Sequence, residues 1–158
     1  WSHIPITFSQ EDLKLNDYPH NDAMVIHASI ASWTVTKVLV DNGSSTDVIL
    51  ASTLDDMGIS RQSLEPSHYP LCGFGGIKTN CIGKIDLLVS FADDVGARTE
   101  TVTFDVVDIY YPYNVILGRG TINAFDATIH SHYLCMKIPA PFGVIAVYGS
   151  QKEARDIE

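Results

Sequence analysis

Short β-forming runs recur along this chain at near-regular spacing, each closed by glycine, proline or an acidic turn. That rhythm constrains the fold more than any single residue. Met24 to Ile30 is β-rich, and Thr34 to Val40 alternates before ending in a continuous apolar run. With Ala31-Ser32-Trp33 between them, the two read as a hairpin. Cys81 to Phe91 reads as a long strand, Asp93 to Gly96 as a turn, and Glu100 to Val107 as a second alternating strand. Asn114 to Leu117 is an apolar strand stopped at Gly118, with a short helix expected through Phe125. His132 to Ile138 and Val144 to Tyr148 read as strands about a Pro139 to Gly143 turn. Val48-Ile49-Leu50, Leu54 and Met57 recur at helical spacing, with Thr46 or Asp47 as N-cap and Gly58 as the residue that ends the helix. Many short strands and one or two short helices predict an all-β, closed-barrel fold.

The 158 residues suffice for one compact domain. We place its body at 23–149, after an extension over 1–22 and before a frayed tail over 150–158. The chain begins at Trp1, which leads us to expect a piece excised from a longer polypeptide. No apolar run approaches the ~20 residues of a membrane helix, so no membrane partner is expected. A net charge of −9 with dispersed cations argues against direct binding of nucleic acid. Cys72, Cys81 and Cys135 are odd in number and far apart, so no disulfide framework is expected and a reducing, intracellular, cytoplasmic setting fits. His130 and His132 would share one face of an extended strand, but no third ligand stands at a sensible spacing. No metal and no cofactor are expected.

Three features bear on chemistry. The first is Val38-Leu39-Val40-Asp41-Asn42-Gly43-Ser44-Ser45, an apolar strand delivering a carboxylate into a tight loop. Burial of the flanks perturbs such a carboxylate unless it is paired, and Gly43 lets the chain turn beneath it. Asn-Gly is also a common hairpin turn, but here a Ser-rich, helix-like stretch follows instead of a returning strand. The second is Gly73-Phe74-Gly75-Gly76 between two strands, either a plain hairpin tip or a mobile flap. The third is Ile116-Leu117-Gly118-Arg119.

In this order and spacing the three resemble the retropepsins, the aspartic proteases of retroviruses and retrotransposons. The likeness extends to the protease segment of plant Ty3/gypsy-type polyproteins, through Pro19-His20-Asn21-Asp22 before the first strand and Tyr113 to Arg119 near the end. It covers roughly Asp22 to Tyr148. The resemblance implies a retropepsin-like acid-protease barrel, with Asp41 catalytic, Asn42 to Ser45 in the active-site loop, Gly73 to Gly76 as flap, and Ile116 to Arg119 as structural support. It implies an aspartic endopeptidase that processes its own polyprotein in the cytoplasm or a virus-like particle. Only one Asp-x-Gly-Ser is present, so the dyad that activates water would form across a homodimer, and the substrate would be an extended peptide. It also implies an ion pair for Arg119, with Asp47 as the candidate partner. Asn42 departs from the usual Thr or Ser, which leaves open an alternative: a weak or inactive retropepsin-like dimerisation or peptide-binding module.

Overall fold

The computed structural model of the chain describes residues 4–67, 71–74 and 76–157. Strands β1 (Met24–Ile30), β2 (Trp33–Val40), β3 (Val48–Leu50), β4 (Leu71–Phe74), β5 (Ile77–Asp93), β6 (Gly96–Val107) and β7 (Val115–Leu117) are followed by β8 (Thr128–His130), β9 (Cys135–Ala140) and β10 (Gly143–Tyr148). Among the described residues there are three short α-helices, α1 (Ala51–Asp56), α2 (Arg119–Ala124) and, after the last strand, α3 (Gln151–Ile157), besides single 3-10 turns at Gln10–Asp12 and Arg61–Ser63. In the large sheet the order β1-β2-β7-β3-β6-β5 closes on itself through β1–β5 pairing, giving a six-stranded barrel with β4 attached outside the ring on β5. The all-β barrel expected from the sequence is the fold observed.

The alternating runs become strands because only one face of each is buried. In β5, Ile85, Leu87, Val89 and Phe91 point inward while Asp86, Leu88 and Ala92 face water. Across from it, Val102, Phe104 and Val106 of β6 complete that wall of the core. Phe104, Phe125, Ile26, Ile49 and Leu54 are all fully buried. At ~25 cal/mol per Å² of apolar area removed from water, such side chains each contribute on the order of 2 kcal/mol.

Three local expectations are corrected. Val48-Ile49-Leu50 is strand, not helix: it lies between β6 and β7, so both of its faces are buried and it shows no alternation. Helix α1 therefore starts later, with Leu50 at its N-cap position and no side-chain cap, so neither Thr46 nor Asp47 caps it. Its end is as expected: Gly58, at φ +73°, donates to the Asp55 carbonyl. The tail does not fray over its described residues; it forms α3, held by buried Ala154 and by Arg155, whose guanidinium reaches Asp17 at 2.7 Å and Asp22 at 2.9 Å.

The cysteine reading is corrected too. The β4–β5 hairpin folds the chain back so that Cys72 and Cys81 meet as a disulfide, their Cα atoms 5.6 Å apart, while Cys135 is buried and free. The cysteine count therefore lends no support to a reducing compartment. No helix of the described residues is long and apolar enough to cross a membrane.

Beyond the barrel, β8, β9 and β10 form a three-stranded antiparallel sheet. The segment before β1 lies against it: Lys137 bonds Asp12 and the Thr7 carbonyl, both at 2.8 Å, and Lys14 stands over the Tyr148 ring. Arg98 of β6, buried, ties this region to the barrel by donating to the carbonyls of Phe125, Ala124 and Pro139 and to Asp126.

Candidate active site

Asp41 follows directly from β2, and the parallel pairing of β2 with β7 sets its position. Leu39 lies opposite Ile116 and Val40 opposite Leu117, and the ladder continues one step as the Asp41 N–H donates to the Leu117 carbonyl at 2.9 Å. The loop then turns under the carboxylate. The Gly43 N–H donates to Asp41 Oδ1 at 2.9 Å, and a Cβ at position 43 would stand 3.2 Å from that oxygen. Asp41 is half-buried, Asn42, Gly43 and Ser45 are exposed, and Ser44 is buried with its hydroxyl on the Thr46 carbonyl at 2.8 Å.

Gly118 is where this loop meets the β7–α2 turn. A Cβ there would lie 2.7 Å from the Ser44 carbonyl oxygen and against that of Thr46, so the close approach of two backbones excludes any side chain. The Arg119 N–H donates to the Ser44 carbonyl at 2.9 Å. The Arg119 side chain is exposed and makes no ion pair among the described residues. The expected partnership with Asp47 is thus corrected.

Asp47 instead accepts three bonds on Oδ1, from Gly118 N–H at 2.7 Å, Thr121 Oγ1–H at 2.8 Å and Thr121 N–H at 3.3 Å. It serves the first turn of α2, across the site from the helix that the local sequence suggested. Only 5% exposed, its carboxyl is pushed above the ordinary carboxylate range by burial, against the pull of those bonds. Asp105 is raised as well, first by burial and then by the charge of Asp47.

The hairpin tip arches over the loop. Gly73, Phe74 and Gly76, with Ile77 and Lys78, line a cleft of about 270 Å³ together with Asp41, Gly43, Ser44 and Ser45. Gly75 lies outside the described residues. A smaller cleft of about 190 Å³ flanks Asp41 on another side, lined by Asp22, Asn42, Ile129 and Ser131 among others. Asp22 there is engaged by Arg155 and by Gln151 at 2.9 Å, and these partners hold its carboxyl below the usual range.

Tyr111, which the sequence motifs did not single out, joins the site. Its ring meets Phe74 edge-on at 5.2 Å, and its phenol is pushed up by burial and then by the charge of Asp41. Three tyrosines in four residues were a signal of an aromatic surface, with nothing to say what it faced. The proposed His130–His132 pair is not assembled on one strand face. β8 ends at His130, whose ring stacks on Tyr133 at 3.8 Å, and the backbone turns before His132.

No protein-family model matches this sequence, and no curated protein matches it. Solved structures do. The retroviral protease-like domain of Ddi1 from Leishmania major superposes with a TM-score of 0.61 at 15% identity, over 82% of this chain and 94% of that one. A retropepsin-like aspartic protease from Rickettsia conorii gives 0.50 at 15% identity, over 82% and 89%. The barrel is therefore a retropepsin-like fold. Within it, Asp41 and the β4–β5 tip face one another across a single cleft.

Proposed function

We propose that the chain is one half of an aspartic endopeptidase, completed when two copies bring their Asp41 side chains together. One observation carries the reading: Asp41 shares its cleft with the glycine-rich tip, and it is the sole carboxylate among the described residues that line that cleft. Hydrolysis of an amide by carboxylates requires a base and an acid at the same water, and one Asp cannot be both at once. Asp22, the carboxylate of the adjoining cleft, is already committed to Arg155 and Gln151. The second carboxylate then comes from a second copy through an isologous contact.

Two carboxylates held that close share one proton and titrate as a unit. The ionised member takes a proton from the shared water as its oxygen attacks the scissile carbonyl carbon. The protonated member gives its proton to the carbonyl oxygen. Collapse of the tetrahedral adduct breaks the C–N bond, and a carboxyl proton passes to the leaving amine, yielding a new carboxyl and a new amino terminus. The tip acts as a flap over an extended peptide, whose side chains meet Phe74 and Ile77. By resemblance of its motifs, the substrate is the polyprotein of a retrotransposon of the plant Ty3/gypsy type, cut at its own junctions inside the cell.

A second reading rests on Asn42, which is exposed and makes no side-chain hydrogen bond among the described residues. An amide there gives the two active-site loops a different contact across the dimer axis from a hydroxyl. A pair held slightly apart would bind peptide without cutting it. The experiment is cleavage of junction peptides from about pH 4 to 7, beside Asp41→Asn and with sedimentation at several concentrations. Cleavage that needs Asp41 and tracks the dimer supports the enzyme. Cleavage unchanged in the variant overturns it, and peptide binding without cleavage selects the module.

A further inference from the structure

Three residues on three neighbouring strands face one another at the foot of the β4–β5 hairpin: Cys72 on β4, Cys81 on β5 and Asp105 on β6. Cys81 lies opposite Val107, two residues along β6 from Asp105, and Cys72 opposite Thr79, two residues along β5 from Cys81, so the strand period of two turns all three to the same side. Their sulfur and carboxylate atoms lie within 4.8 Å of one another. Cys72 is buried, and Cys81 and Asp105 are half-buried. The Asp105 carboxylate makes no hydrogen bond and no ion pair among the described residues, not even with Lys84, its cross-strand neighbour. Beside the disulfide this half-buried carboxylate feels the Lys84 charge without a bond to it.

We propose that Cys72, Cys81 and Asp105, in the thiol form of the chain, bind a thiophilic divalent cation of the zinc type. A low-molecular-weight dithiol reduces the Cys72–Cys81 bond, leaving two thiols and its own cyclic disulfide. The cation then displaces both thiol protons and takes two thiolates and the Asp105 carboxylate as ligands, with its fourth tetrahedral position open to water. The carboxylate gains a directly bound counter-charge, where the folded chain offers only the unbonded Lys84 ammonium. Cys81 is where β5 stops pairing with β6 and continues only as the hairpin. The cation thus replaces the disulfide as the clasp at the root of the segment that covers Asp41. Exchange with a low-molecular-weight disulfide, which takes up the two electrons and two protons and leaves as two thiols, releases the cation and restores the covalent clasp. The inference goes beyond the proteolytic reading and stands apart from whether Asp41 hydrolyses anything.

The test is titration of the whole 158-residue chain with Co²⁺ alone, after reduction with a phosphine and its removal without oxygen. The expected result is one equivalent bound, with thiolate-to-cobalt charge-transfer absorption and the visible bands of tetrahedral cobalt. Displacement by Zn²⁺ should follow, and none of these signals in the disulfide form. Cys81→Ser should abolish the charge-transfer band or reduce it by half, Asp105→Asn should weaken binding at least about tenfold, and Cys135→Ser should change nothing. Circular dichroism matched to the parent certifies that each variant is folded. A folded, reduced chain without thiolate–cobalt absorption overturns the proposal. So does affinity unchanged in Asp105→Asn, or absorption that depends on Cys135.

Discussion

Replacing Asp47 by alanine and by asparagine measures what holds the active-site loop to α2. The parent carboxylate accepts from Gly118 N–H at 2.7 Å and Thr121 Oγ1–H at 2.8 Å, with a weaker third bond from Thr121 N–H at 3.3 Å. Alanine strands two well-formed buried donors, at about 1–3 kcal/mol each. It also relieves the cost of a charge in a site that is 5% exposed. The net expectation is a loss of about 2–4 kcal/mol. Asparagine keeps the accepting oxygen and discards the charge, so it should stay within about 1 kcal/mol of the parent. The two variants are compared by urea unfolding near pH 7, with unchanged m-values as the control. The sign with pH follows from the raised Asp47 carboxyl. Between its unfolded value of 3.8 and its higher folded value the native state binds more protons, so that contribution is complete below 3.8 and is lost as pH rises through the folded value. Asp47→Asn lacks this slope and should therefore gain on the parent as pH rises from about 4 to 7. An Ala–Asn gap under about 0.5 kcal/mol would refute the claim that this carboxylate is the clamp.

Gly118→Ala should cost about 2–3 kcal/mol or more, because its Cβ meets the Ser44 and Thr46 carbonyls of a loop that cannot retreat; thermal unfolding reads it. Arg98→Lys should destabilise by at least about 2 kcal/mol, since an ammonium cannot reach the carbonyls of Ala124, Phe125 and Pro139 together; urea midpoints decide this. The carboxyls of Asp12 and Asp22 are held low by bonds from Lys137 and Arg155 respectively. Their contribution is present above 3.8 and is lost as pH falls through their folded values. Hydrogen exchange over residues 8–22 should accordingly rise as pH falls below 3.8 and through the lowered values, while the barrel strands stay protected, and simultaneous exchange of both regions would argue against a separately held arm.

The parts legible in the sequence were those governed by local periodicity. β5 and β6 alternate because one face of each is wet, and the Asp93–Gly96 turn between them was readable from its residues. Val48 to Leu50 misled because a strand buried on both faces carries no period of two. The tail misled because α3 is anchored by Asp17 and Asp22, more than a hundred residues earlier. Cys72 and Cys81 misled because counting cysteines says nothing about which strands a hairpin will lay side by side.

What the sequence alone determined is the strand that ends at Asp41, the glycine that turns the loop beneath it, and the barrel class that alternating runs require. These depend on φ/ψ preference and on the side-chain period, which act within a few residues. The tertiary structure alone decided that Asp47 grips α2 rather than Arg119, that Tyr111 lies against Phe74 near Asp41, and that Asp105 stands beside two sulfurs. Each of these depends on which strands lie side by side: barrel closure brings β2 to the distant β7, and β5 carries its hairpin neighbours β4 and β6 on its two edges.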